Sequence, residues 1–153
     1  MRAFVAAAFV CMAFWGREAA VGAARPNPAA QSADLPAPSV WAGVYTAAQV
    51  ARGDIAYRQE CGSCHGAALE GGDMTPALTG AVFTSNWNDL TVGDLFDRIR
   101  ITMPLDRPGK LTRQQNADVI AFLLNANGWP EGKTELVVDL GALKQIRIQS
   151  TRP

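Results

Sequence analysis

The apolar residues of this chain recur mostly at three- and four-residue intervals, with no sustained alternation of apolar and polar positions before residue 135. That periodicity predicts an all-α domain. The first helix is expected from Thr46, where Thr46 and Gln49 have the T-x-x-Q spacing of a capping box. It runs without proline through Val50, Gly53, Ile55 and Tyr57 to the region of Cys61. A glycine inside a helix costs about 1 kcal/mol relative to alanine. Gly53 therefore implies close approach by another helix, with Tyr57 one turn on, packed over the same contact.

A second helix is expected from Thr91 to Ile101, with Thr91 as cap and Asp94 in its first turn. Val92, Leu95, Phe96 and Ile99 form its apolar face, and Pro104 stops it. The third begins at Thr112, with Gln115 three positions on. Val119, Ile120, Phe122, Leu123 and Leu124 give it a wide apolar stripe, and Gly128 follows its end. Residues 66–90, rich in glycine and containing Pro76, read as mainly loop. The tail mixes Leu136, Val137, Val138, Leu140, Leu143, Ile146 and Ile148 with polar residues, as extended chain plus one helical turn.

At the other end, Met1-Arg2 is followed by an apolar run from Ala3 to Trp15 and then by small residues, Ala19 to Ala24. This is the order of a secretory signal peptide. The run is too short to span a bilayer, which takes about 20 residues, so no stable membrane insertion is expected once the leader is removed. Cys11 lies inside the apolar run behind Val10, a poor setting for a lipid-modified cysteine. Residues 25–40 hold Pro26, Pro28, Pro36 and Pro38 among small and polar residues, and read as a linker. The expected organisation is a signal peptide at 1–24, a Pro/Ala-rich linker at 25–40, one domain at 41–128 and a C-terminal extension at 129–153. The expected location is the periplasm.

Fourteen basic and fourteen acidic residues balance, and losing Arg2, Arg17 and Glu18 with the leader leaves one net negative charge. No Lys/Arg cluster offers a face for phosphates, which argues against nucleic acid as partner. With 48% hydrophobic residues the chain is not compositionally disordered.

The chemistry is concentrated at residues 61–65, Cys-Gly-Ser-Cys-His, which contain the sole histidine of the chain. Two thiols three positions apart lie on one side of a helical turn, where they add to the two vinyl groups of a haem while the adjacent imidazole faces the iron. This is the c-type haem attachment spacing. Zinc would need four ligands, and three stand together here with no second cluster. A thioredoxin-like pair belongs to an α/β pattern that is missing. A disulfide across two residues is strained and leaves the histidine unexplained. One covalent haem c, held by Cys61 and Cys64 with His65 on the metal, is the expected cofactor. It would also fill the middle of a domain with much irregular chain and a thin core.

With His65 on one face of the iron, no second histidine can take the other. Met1 and Met12 belong to the leader, which leaves Met74 and Met103. Met103 lies just past a helix and before Pro104, which stiffens the loop presenting it. Met74 is nine residues after His65, a span of about 30 Å at full extension, so reach does not exclude it. Met103 is the expected ligand, against the alternative that it only packs in the core. A soft thioether raises the reduction potential and closes the iron to oxygen and peroxide. An electron carrier is then expected rather than an enzyme; an open-site haem enzyme or gas sensor is the contrary reading.

Over residues 45–128 the chain resembles class I cytochromes c. Gly53 and Tyr57 match the glycine and aromatic of that family's first helix, which crosses the last helix, here near Phe122 and Leu123. Thr75-Pro76-Ala77-Leu78 is similar to the family's proline loop. The resemblance implies that the Pro76 carbonyl accepts the proximal histidine's hydrogen bond and orients His65. It also implies a cytochrome c fold of three or more helices around one haem, Met103-Pro104 as the axial-methionine loop, and Trp87 near the haem propionates. Leu143-Lys144-Gln145-Ile146-Arg147 is similar to the tails of small cytochromes associated with periplasmic quinoprotein dehydrogenases. The implied partners are redox proteins, such as a quinoprotein dehydrogenase, of which the chain would be the cytochrome subunit, or a terminal oxidase. The exchange surface is expected at the haem edge beside Cys61 and Cys64, ringed by uncharged residues.

Overall fold

The computed structural model describes residues 38–153; the expected signal peptide and all but the last three residues of the expected linker lie outside them. Among the described residues six α-helices occur in order: α1 Ala47–Glu60, α2 Gly62–His65, α3 Gly80–Trp87, α4 Val92–Thr102, α5 Arg113–Ala126 and α6 Leu140–Leu143. A 3-10 turn over Val40–Ala42 precedes them. β-Structure among these residues is limited to isolated bridges, two of which join Arg147 to Ser39 and to Thr91.

Local sequence explains where the longer helices begin. Thr91 and Asp94 bond reciprocally at the start of α4, as do Thr112 and Gln115 at the start of α5. At α1 only half of the expected capping box forms. Thr46 accepts from the Gln49 N–H, but the Gln49 side chain is fully buried and bonds both the N–H and the C=O of Leu136. A tertiary pairing has taken over a local one.

The crossing of α1 and α5 is the centre of the fold. A Cβ on Gly53 would overlap the Asp118 carbonyl oxygen and stand 2.6 Å from its carbon and 2.9 Å from Phe122 Cβ, so only glycine lets the backbones meet. Tyr57 packs on Phe122 with ring centroids 5.3 Å apart. Arg52 forks onto the buried Asp118 carboxylate at 2.9 Å through both nitrogens, closing the other side of the crossing.

Three features go beyond the expected organisation. Residues 66–90 are mainly loop, but α3 occupies eight of them. Its glycine, threonine, serine and asparagine are modest helix formers; what holds it is tertiary, Phe83 buried between Trp87 and Trp129. The linker does not extend to residue 40: Val40 is fully buried, and its N–H donates to the Arg147 carbonyl. Finally, residues 129–153 form part of the core. Trp129, Leu136, Leu143 and Ile148 are buried, and the indole N–H groups of Trp41 and Trp129 both donate to the Gln149 carbonyl.

Candidate functional site

Helix α1 ends at Glu60, the chain turns through Cys61, and α2 carries it to His65. Backbone bonds from Cys61 N–H to Tyr57 and from His65 N–H to Cys61, at 2.8 and 2.9 Å, keep the run helical in pitch. The Tyr57 hydroxyl donates to the Gly66 carbonyl at 2.7 Å and ties off the end of α2. Burial pushes the Tyr57 hydroxyl up to about 12, so it stays a donor.

Cys61, Cys64 and His65 line one cavity of about 1010 Å³. Its walls also include Leu95 and Ile99 of α4 and Val119 and Leu123 of α5, which make it largely apolar. Pro76, Trp87 and Met103 line it as well, so all six residues expected from the sequence come together. A space of this size lies at the top of the range for small-molecule sites, about 300–1,000 Å³.

His65 is buried, and its Nδ1 lies 3.0 Å from the Pro76 carbonyl oxygen. A carbonyl only accepts, so Nδ1 carries the proton and Nε2 keeps its lone pair. The Pro76 loop is fastened in turn, by Thr75 Oγ1 donating to the Cys64 carbonyl at 2.7 Å and Leu78 N–H donating to Leu69. Cys61 and Cys64 are free thiols. Burial, with smaller contributions from Glu60 and Cys64, pushes the Cys61 thiol up to about 11. A thiol held neutral is a poor zinc ligand and a poor disulfide-exchange nucleophile. Among the described residues no three His, Cys, Asp or Glu side chains are grouped to hold a metal ion.

The two methionines are placed differently. Met103 is the C-cap of α4, partly buried against the core. Met74 also borders the cavity but is 94% exposed. Trp87 is half-buried at the end of α3. Glu60, Arg98, Asp106 and Arg107 also border the cavity. Glu60 and Arg107 were missed as site residues; a residue next to Cys61 and one in the loop after Met103 were the only signals available.

These residues fit a flat apolar macrocycle that presents two vinyl groups to the thiols and a metal to an imidazole lone pair. Residues 48–123 match the family described as cytochrome C oxidase, cbb3-type, subunit III. No curated protein matches the chain. A solved structure, the sulfane dehydrogenase SoxCD from Paracoccus pantotrophus, shares 26% identity with a TM-score of 0.47. The match covers 87% of this chain and 66% of that one, so this chain spans just under two thirds of its length.

Helices packed around a cavity that opens onto a C-x-x-C-H turn define a haem-binding electron-transfer domain. Over residues 48–123 the chain carries a c-type cytochrome domain.

Proposed function

We propose that this cytochrome is a periplasmic carrier of single electrons, with one haem c bonded through thioethers at Cys61 and Cys64 and its iron held between His65 and Met103. When bound, the haem supplies a one-electron Fe(III)/Fe(II) couple. The observation that carries the reading is the His65–Pro76 bond, which fixes the imidazole tautomer and leaves Nε2 as a lone-pair donor bordering the cavity. Met103 is favoured over Met74 because it is sheltered against the core at the cavity wall, whereas Met74 is almost wholly in solvent.

The chain's own residues supply the surroundings. Leu95, Ile99, Val119 and Leu123 exclude water and lower the local dielectric, which disfavours the more highly charged ferric state. Trp87 borders the cavity, where its indole N–H would be available to a haem propionate. Exposed Cys64 marks the edge at which electrons would be exchanged, and transient docking suits that role. Location in the periplasm rests on the leader-like order of residues 1–24. A redox partner protein is required on either side of the transfer. Assignment as the cytochrome subunit of a quinoprotein dehydrogenase, or as donor to a terminal oxidase, gains no support from the tail, which the domain itself holds in place.

The test is replacement of each methionine in the haem-loaded protein. Met103→Ala should abolish the weak near-infrared charge-transfer band of ferric methionine-ligated haem, lower the reduction potential and let the ferrous protein take up carbon monoxide. Met74→Ala should do none of these. The reverse pattern, or purified protein with the mass of bare polypeptide, would overturn the proposal.

A further inference from the structure

The loop that presents Met103 has little apolar anchorage of its own. Between buried Pro104 and buried Leu111 every residue is exposed, with Leu105 at 79%. Its internal bonds, Arg107 N–H to the Pro104 carbonyl at 2.9 Å and Gly109 N–H to the Met103 carbonyl at 3.4 Å, give it shape without attaching it to anything else. What attaches it is one carboxylate. Glu60 receives Lys110 Nζ at 2.6 Å on both oxygens and Arg107 Nη2 at 3.5 Å on one. The Glu60 side chain is only 14% exposed, so its two cations are also its replacement for solvent. Glu60 is the last residue of α1 and immediately precedes Cys61.

We propose that Glu60 is a positioning residue that clasps the Met103 loop to the haem-attachment turn and keeps the thioether seated. This rests on the reading above in which Met103 is the ligand. Helix α4 fixes Met103 at its backbone, through the bond from Met103 N–H to Ile99. The loop beyond is free to swing unless Lys110 and Arg107 hold it. The Met103 carbonyl accepts from the Gly109 N–H of that loop, so each opening disturbs the Met103 backbone on its loop side, loosens the thioether and admits an external ligand. The apparent affinity for such a ligand then scales with the fraction of open molecules. Solvent-exposed ion pairs contribute little; a sheltered carboxylate with two cations contributes more.

The experiment is titration of the ferric, haem-loaded full chain with imidazole, in wild type, Glu60→Gln, Lys110→Met and the double variant. Lys110 is a surface residue, so its replacement tests the clasp even where Glu60→Gln folds poorly. Each single variant should bind imidazole about fivefold or more tightly than wild type, with the near-infrared band weakened in proportion. The double variant should match the tighter single one, because both changes break the same clasp. Three results would overturn the clasp while leaving the ligand assignment intact. One is a wild-type band with imidazole affinities within about twofold of wild type in both single variants. Another is multiplied effects in the double variant. The third is lowered thermal stability with no change in affinity. A wild-type ferric protein with no band at all would instead remove Met103 as ligand, and the clasp with it.

Discussion

Replacing Gly53 with alanine probes the contact on which the cavity walls depend. On an exposed helix the change would stabilise by about 1 kcal/mol through helix propensity. Here the new methyl group would overlap the Asp118 carbonyl and lie 2.6 Å from its carbon and 2.9 Å from Phe122 Cβ. Two of those three atoms are backbone, so no rotamer change relieves them and α1 must move away from α5. Overpacking costs about 1–3 kcal/mol, and a clash against backbone belongs at the top of that range, leaving a net loss of about 2 kcal/mol. For a domain of this size that lowers the melting temperature by about 6–10 °C. Thermal unfolding of the haem-loaded protein, followed by far-ultraviolet circular dichroism, reads it directly. Gly62→Ala is the matched control, since its nearest atoms, both from Tyr57, stand at 3.7 and 3.8 Å, ordinary contact. Its stability should change by no more than about 0.5 kcal/mol. If Gly53→Ala melts at or above the wild-type temperature, the account of the crossing is wrong.

Gln49→Leu should cost about 2–4 kcal/mol in urea unfolding, because both backbone groups of Leu136 lose their partner inside the protein. Faster hydrogen exchange at the Leu136 amide should accompany it, and unchanged exchange would show that the tail is held elsewhere. Asp94 has its carboxyl held below the usual range, chiefly by the Thr91 hydroxyl and then by the Thr91 N–H and other, smaller effects. A depressed carboxyl pKa stabilises the fold above the unfolded value near 3.8, and that stability is lost as pH falls through the folded value. Asp94→Asn should therefore be less stable than wild type near neutral pH and indistinguishable well below 3.8. A gap that persists unchanged in acid would contradict the assignment.

What the sequence made legible was local chemistry. Thr91 with Asp94, and Thr112 with Gln115, each mark a helix start because both partners sit within one turn. Cys61, Cys64 and His65 are readable for the same reason. Gly53 was legible as a contact because its cost within a helix demands a reason, and the Asp118 carbonyl supplies it. The failures are long-range. Gln49 has the spacing of a capping residue but spends both ends of its amide on Leu136, far along the chain. Helix α3 has few strong formers and exists because Phe83 has Trp129 to pack against. The Glu60–Lys110 pair joins residues whose separation no local pattern encodes. Arg98 and Arg107 reach the cavity wall in the same way, through contacts that no local pattern marks.

Arg147 sews the two ends of the described chain together: its N–H donates to the Pro38 carbonyl and its own carbonyl accepts from Val40. Domains whose termini adjoin tolerate circular permutation and insertion into other proteins. A permutant opened at the exposed bend at Lys133–Thr134 and joined through a short glycine-rich bridge after residue 153 should therefore mature with its haem in place. The cytochrome is, in that sense, a cassette: a second polypeptide grafted before Pro38 or after Pro153 departs from one shared seam and leaves the attachment turn undisturbed.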